Sequence, residues 1–338
     1  MSDSAACTIA IIAAGEMGAG LAARLTIHGC TVLTDLTDRS DSTRARAEQA
    51  GMQHASLKDI VHTRTDVQWI LSVLPPGDAR AFVEQCLNAG LGSRRADGSY
   101  PVFVDCNAVN PTTSREIADL LAARAPNVQY IDAGIIGGPP RADPNDPLKT
   151  TYEPNVYAST SAEVEASGAL HKFGELVSVG LPVRIMKDAG VGAASALKMS
   201  YAGIMKGVSG LLITMVLASH ANSPATTEAL LSELAHSSPQ ILARSENALS
   251  ANQKKAYRFV GEMREIAQFV EDGLAVPENP DHTTASSSQT LSGPGLIFEG
   301  LAQSYTRLAK SVSEGAGDVD VLNQWVAAAR KTREQAAS

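Results

Sequence analysis

The sequence predicts an α/β chain. A doubly wound, mostly parallel sheet fills its N-terminal part, and an all-helical domain follows. Three observations predict this. Short apolar runs alternate with helical segments from residue 7 to residue 158. No convincing strand follows Gly192. The 338 residues exceed the ~250–300 over which a single core grows. Two domains are therefore expected, residues 1–188 and 189–338.

Each element has its own reason. Residues 7–14 are short, isoleucine-rich and mostly apolar, which suits a strand buried on both faces. A glycine-bearing turn follows, then a helix over 21–25 that ends at His28-Gly29, then a strand over 30–34. Residues 42–50 read as a helix stopped by Gly51. Residues 66–74 form a strong strand closed by Pro75-Pro76-Gly77, and 78–89 a helix with Asp78 as its cap. Strands over 102–105, 128–132 and 155–158 and a helix over 112–124 complete the alternation. Beyond it, helices are expected over 193–221, 225–234, 239–249, 255–271, 296–314 and 319–333. A polar Pro/Ser/Thr-rich loop is expected over 278–293.

Composition excludes several function classes. Lys and Arg number 28 against 36 Asp and Glu, a net charge of −8, which argues against nucleic acid as a partner. Aromatic residues are 4%, too few to suggest base-stacking platforms. The four cysteines form no CxxC, and the seven histidines form no HxH or HxxxH. No metal site and a reducing compartment are expected. Residues 1–7 lack a basic leader, and the longest apolar run, residues 207–218, is short for a membrane span. These features predict a cytoplasmic protein without a membrane partner.

The glycine turn carries the first functional signal. Ala13-Ala14-Gly15-Glu16-Met17-Gly18 fills the frame GxGxxG with alanine at its first position. The second glycine of that frame lets the backbone approach a pyrophosphate, and the third lets helix and strand pack closely. The following helix offers free N–H groups to phosphates. The turn stands after the first strand and opens the first helix, the context that marks a Rossmann-type dinucleotide site. Ala14, Gly15, Glu16, Met17 and Gly18 are its expected cofactor contacts. After the second strand, Asp35 lies where an NAD site places an acidic residue. Strand alternation turns Asp35 away from the face shared by Val32 and Thr34. Arg39, Ser40 and Arg44 then suit the 2′-phosphate of NADP. NADP is the expected cofactor, with NAD as the alternative.

Four further stretches, with the glycine turn, resemble the β-hydroxyacid dehydrogenases, relatives of 6-phosphogluconate dehydrogenase. Leu74-Pro75-Pro76 resembles the family's loop beneath the nicotinamide. Asp105-Cys-Asn-Ala-Val-Asn-Pro111 resembles its Asp-x-Ser-Thr-x-x-Pro loop. Asp132-Ala-Gly-Ile-Ile-Gly-Gly138 resembles its substrate loop. Gly190-Val-Gly-Ala-Ala-Ser-Ala-Leu-Lys198 resembles the approach to its catalytic lysine. The resemblance implies cofactor contacts at Leu74, Pro75 and Asn107, and substrate contacts at Ile136, Gly137 and Gly138. It also implies a homodimer formed through the helical domain. There are departures. Ile136 replaces the family's serine, Asn107-Ala108 its Ser-Thr pair, and Tyr201-Ala202 its two asparagines. With residues 198–203 and 262–267, these departures resemble a subgroup whose phosphogluconate-dehydrogenase-like C-terminal domain is poorly characterised.

The residues around position 198 complete the reading. Lys198 opens an otherwise apolar helix past the expected domain junction, where desolvation would lower its pKa toward the working pH. Tyr201, three residues on, shares its face and could bind substrate or relay a proton. Lys206, eight residues on, could hold a substrate carboxylate. The helix from Ala193 is apolar around most of its circumference and is expected to be buried. The expected function is an NADP(H)-dependent oxidoreductase that interconverts a small hydroxy acid and its oxo acid. Decarboxylation of a β-oxo product is a further option, and Lys198 is the general acid/base. The alternatives are reduction of a C=N bond, as in imine reductases, and dinucleotide binding without turnover.

Overall fold

The computed structural model of the chain describes residues 7–274, 293–315 and 317–337. The chain divides into two compact units, Met1–Met199 and Ser200–Ser338. The sequence reading places the junction after residue 188.

The first unit is a doubly wound α/β sheet. Its elements are β1 (Thr8–Ile12), α1 (Glu16–Ile27), β2 (Thr31–Thr34), α2 (Asp41–Gln49), β3 (Gln53–His54), β4 (Val67–Ser72), α3 (Ala79–Asn88), β5 (Val102–Asp105) and α4 (Pro111–Arg124). They continue with β6 (Gln129–Ile136), β7 (Arg141–Asp143), β8 (Asp146–Tyr152), β9 (Asn155–Ser159), α5 (Ala162–Ala166), α6 (Ala169–Gly174) and β10 (Val183–Ile185). Eight strands form one sheet in the order β10-β9-β6-β5-β4-β1-β2-β3, and β7 and β8 pair separately. All pairings in the large sheet are parallel except that of β6 with β9, which sets Asp132 opposite Ser159.

Alternation divides the core between the two faces. Ile9, Ile11, Val32, Leu71 and Val104 pack with Leu21, Leu25 and Phe173 on one side. Ala10, Ile12, Leu33, Ile70 and Phe103 pack with Val83, Ile117 and Leu121 on the other. Every residue of β1 is buried, which explains its unbroken apolar run. Chain order runs outward from β1 to β3 and returns to β4 on the other side of β1. The resulting switch point lies between β1 and β4, where open α/β sheets bind ligands at the carboxyl ends of their strands.

Beyond Gly192 the described residues form helices: α7 (Ala193–Asn222), α8 (Pro224–Ser237), α9 (Pro239–Asn252), α10 (Ala256–Leu274), α11 (Gly295–Glu314) and α12 (Asp318–Ala337). By length and composition α7 could cross a bilayer. Its small residues instead seat other helices. A Cβ on Gly210 would lie 3.0 Å from Leu301 and 3.1 Å from Tyr305, and one on Gly203 3.2 Å from Ile266. The helix is not buried all round: Tyr201, Ile204, Leu211 and Met215 lie exposed. The polar segment expected over 278–293 lies outside the described residues except for Gly293.

Candidate active site

The glycine turn meets the steric demands of a dinucleotide cradle. A Cβ on Gly18 would lie 2.1 Å from the Ala13 carbonyl oxygen, so only glycine lets α1 approach β1 this closely. A Cβ on Gly15 would meet nothing within 4 Å, so the turn faces open space. Gly15 is the N-cap of α1 and supplies no side-chain cap, so the first N–H groups of the helix point outward unclaimed by a capping side chain. Ala14 is buried, Glu16 is exposed in the first turn, and Met17 packs against the core. Arg46, which the sequence reading missed, reaches from α2 to the Ala14 carbonyl at 2.9 Å. These residues fit a nicotinamide dinucleotide.

The loop after β2 holds the residues expected to choose between NADP and NAD. Asp35 is committed to its own backbone: Oδ1 accepts from Thr37 N–H (2.8 Å) and Oδ2 from Leu57 N–H (2.9 Å). Ser40 caps α2 by accepting from Thr43 N–H at 3.4 Å. The Arg44 Nε donates to the Arg39 carbonyl at 3.0 Å. Arg39, Ser40 and Arg44 are all exposed.

Two loops follow β4 and β5. Leu74 is half-buried and Pro75 exposed. Asn107 does not present its amide to a ligand as expected. It is 2% exposed, its Oδ1 accepts from Leu74 N–H (2.5 Å), and its Nδ2 donates to Ser72 Oγ (2.8 Å). Asn107 is thus a staple that holds the Leu74–Pro75 loop against β5.

Beyond β6, Ile136 is half-buried and Gly137 adopts φ +120°. A Cβ there would collide with the Tyr152 hydroxyl oxygen, 1.9 Å away. That hydroxyl accepts from Gly138 N–H at 3.3 Å. The β7–β8 hairpin therefore folds back over the glycine pair, and Tyr152 holds the amide expected to meet substrate. Pro139 and Pro140 pack beside Gly20 of α1, joining this loop to the glycine-turn helix.

Lys198 lies in the first unit, half-buried, with its Nζ donating to the Ile135 carbonyl. Burial lowers its pKa to about 8, against a smaller opposing effect of Cys106. Behind it, burial and the nearby Asp132 raise the Asp105 carboxyl to about 7, while a hydrogen bond from Asn107 N–H opposes the rise. Burial also pushes the Cys106 thiol up. Tyr201, three residues on in α7, is 43% exposed.

Lys206 is placed differently from its expected role as a carboxylate receptor. It forms an ion pair with Glu262 of α10 and lies 5.0 Å from the centre of the Phe259 ring. Its charge already has a resident counter-ion. No local signal linked position 206 to position 262.

Residues 8–149 match the NAD binding domain of 6-phosphogluconate dehydrogenase, and residues 221–308 match a domain of unknown function, DUF1932. Solved structures share the fold. A conserved hypothetical protein from Sinorhizobium meliloti 1021 is 20% identical over 97% of each chain, with a TM-score of 0.61. The conserved protein MTH1747, of unknown function and structurally similar to 3-hydroxyacid dehydrogenases, is 22% identical; the match covers 92% of this chain and 100% of that one, with a TM-score of 0.59. The 3-hydroxyisobutyrate dehydrogenase of Salmonella typhimurium is 18% identical over 94% of this chain and 99% of its own, with a TM-score of 0.53. No curated protein matches the chain.

Proposed function

Because the chain joins an NAD binding domain of the 6-phosphogluconate dehydrogenase kind to a DUF1932 domain, we propose that it is an NADP(H)-dependent oxidoreductase acting on a small hydroxy acid or its oxo acid. The observation that carries the reading is Lys198. An amine with a pKa near 8 stands just beyond the carboxyl end of the sheet, in the same unit as a turn built for a dinucleotide. A bound nicotinamide would supply the hydride chemistry. The chain's own part is to orient and to move a proton. Neutral Lys198 takes the hydroxyl proton of a hydroxy acid, and protonated Lys198 returns one to an oxo acid. The Asn107 staple keeps the Leu74–Pro75 loop in place for the nicotinamide.

NADP is favoured over NAD by the loop after β2. Asp35 spends both carboxylate oxygens on backbone N–H groups, while the exposed Arg39, Ser40 and Arg44 gather at the start of α2. A 2′-phosphate suits that group of residues.

A second reading is C=N reduction. It is favoured by Ile136, an apolar side chain at the end of β6 that offers a substrate hydroxyl no hydrogen bond. A panel of 3-hydroxy acids, 2-oxo acids and cyclic imines, run with NADPH or NADP, separates the two readings. Turnover of the acids is the expected result. Lys198→Ala should lower that turnover about 10²–10⁴-fold. Full turnover in the folded variant would refute the assignment, and failure of NADPH and NADH to bind in a fluorescence titration would refute the whole reading.

A further inference from the structure

Asp132 has no role in the proton chemistry above, yet four hydrogen bonds converge on its carboxylate. It is 1% exposed. Its Oδ2 accepts from Gly192 N–H (3.0 Å), Ser195 N–H (3.1 Å) and the Ser159 hydroxyl (3.1 Å). Its Oδ1 accepts from the Ser195 hydroxyl at 2.6 Å. Ser159 Oγ in turn accepts from Ala194 N–H at 3.1 Å.

This is helix capping from a distance. The first N–H groups of a helix have no partner within it, and a carboxylate at that end is favoured by the helix dipole. The side chain just before a helix normally serves. Before α7 stand Gly190, Val191 and Gly192, which carry no polar side chain. A strand residue 60 positions earlier does the work instead. Antiparallel pairing brings Ser159 opposite Asp132 to complete the grip.

The grip is tied to Lys198. Asp132 and Gly134 alternate onto one face of β6. A Cβ on Gly134 would lie 2.8 Å from the Ala194 carbonyl oxygen and 3.3 Å from Lys198 Cβ, so the first turn of α7 rests on that glycine. One turn beyond Ser195, the Lys198 amine returns to β6 at the Ile135 carbonyl. The helix start is thus fastened to one strand at three successive points.

We infer that Asp132 is a positioning residue for Lys198, clamping the start of α7 onto β6 with Ser159 and Ser195 and so setting how deeply the amine is enclosed. Its value for catalysis rests on the reading of Lys198 as the acid/base. The titratable group acting on the amine is Cys106 at the end of β5, and Asp105 and Asp132 act on Cys106 in turn.

The test measures the amine directly in the full chain. Competitive labelling of Lys198 with acetic anhydride across pH, read by mass spectrometry, reports its apparent pKa without need of a substrate. Ser195→Ala removes one hydroxyl and leaves the carboxylate, so it tests the clamp even where Asp132→Asn fails to fold. Either folded variant should move the Lys198 midpoint upward by half a pH unit or more. NADPH affinity, measured by fluorescence, should stay within twofold. An unchanged midpoint in folded Ser195→Ala overturns the inference. A parallel loss of NADPH affinity also overturns it, because Asp132 would then serve the unit as a whole. Failure of the catalytic reading shows separately, as full turnover by Lys198→Ala with the labelling shifts intact.

Discussion

Single residues set the pH behaviour of this protein. Lys198 has a pKa of about 8 because it is enclosed. Under the proposed function, oxidation of a hydroxy acid would use the neutral amine, so its rate should rise through about pH 8 and then level. Reduction of an oxo acid needs the protonated amine and should fall over the same range, as pH-rate profiles in both directions will show. The stability sign follows from the same shift. The unfolded chain binds this proton up to about pH 10.4, so the Lys198 contribution should stabilise the fold progressively from about pH 8 to 10.4. Asp105 acts in the opposite sense. Its raised pKa of about 7 means that the folded state holds a proton the unfolded state has released. Stability from this group is present at about pH 4 and is lost as pH rises through about 7. Asp105→Asn should flatten that slope in urea midpoints measured across the range, at about 1.4 kcal/mol for each pH unit of displacement. For cofactor choice, Arg39→Ala should weaken NADPH about tenfold and leave NADH unchanged in parallel titrations, a difference of about 1.4 kcal/mol. Equal effects on both would refute the 2′-phosphate assignment.

At the scale of elements, what the sequence revealed depended on how local the cause was. Gly15 and Gly18 were legible because a strand, a turn and a helix lie within 20 residues, and the backbone demands are chemical. Lys198 was legible as a charge near the start of an apolar helix and through the family resemblance of residues 190–198. The β7–β8 hairpin was not legible. Its strands are mostly exposed, so their side chains carry little of the apolar alternation that marks a half-buried strand. Its anchor is Arg24 of α1, buried and donating to the carbonyls of Pro147 (3.0 Å) and Leu148 (3.1 Å), a contact across 123 positions. Asn107 was expected to touch the cofactor through the family resemblance, and nothing local signals the Ser72 and Leu74 partners it finds. Asn107→Ala should therefore strip two partners at once. The expected loss is about 1–3 kcal/mol of stability in urea unfolding, together with weaker dinucleotide binding as the Leu74–Pro75 loop loosens.

For the whole molecule, the surface of α7 bears on assembly. Tyr201, Ile204, Leu211 and Met215 are 43%, 66%, 55% and 51% exposed and recur at helical spacing along one face. Large apolar side chains exposed in a row suit a contact surface. The homodimer that the family resemblance implies would cover this face. Light scattering of the purified protein should give twice the chain mass, and Ile204→Glu with Leu211→Glu should reduce it to one. A monomeric wild type would leave the row without that partner and refute the proposal. The half-buried Lys206–Glu262 pair concerns the same domain. Glu262→Gln would remove the carboxylate that faces the Lys206 amine and should cost about 1–3 kcal/mol, as thermal unfolding can measure.

The antiparallel turn of β9 has a consequence for the order of assembly. Once β6 and β9 have paired, the sheet contains a buried carboxylate and a serine hydroxyl whose remaining donors lie farther along the chain. During synthesis, residues 192–195 emerge after every strand of the sheet, and their arrival closes a latch on Asp132. The first unit is thus complete only with the first turn of a helix whose remainder belongs to the second. A fragment ending at residue 188 lacks the latch, whereas one ending at residue 199 retains it. The longer fragment should unfold at clearly higher urea, a difference that Asp132→Asn should largely abolish.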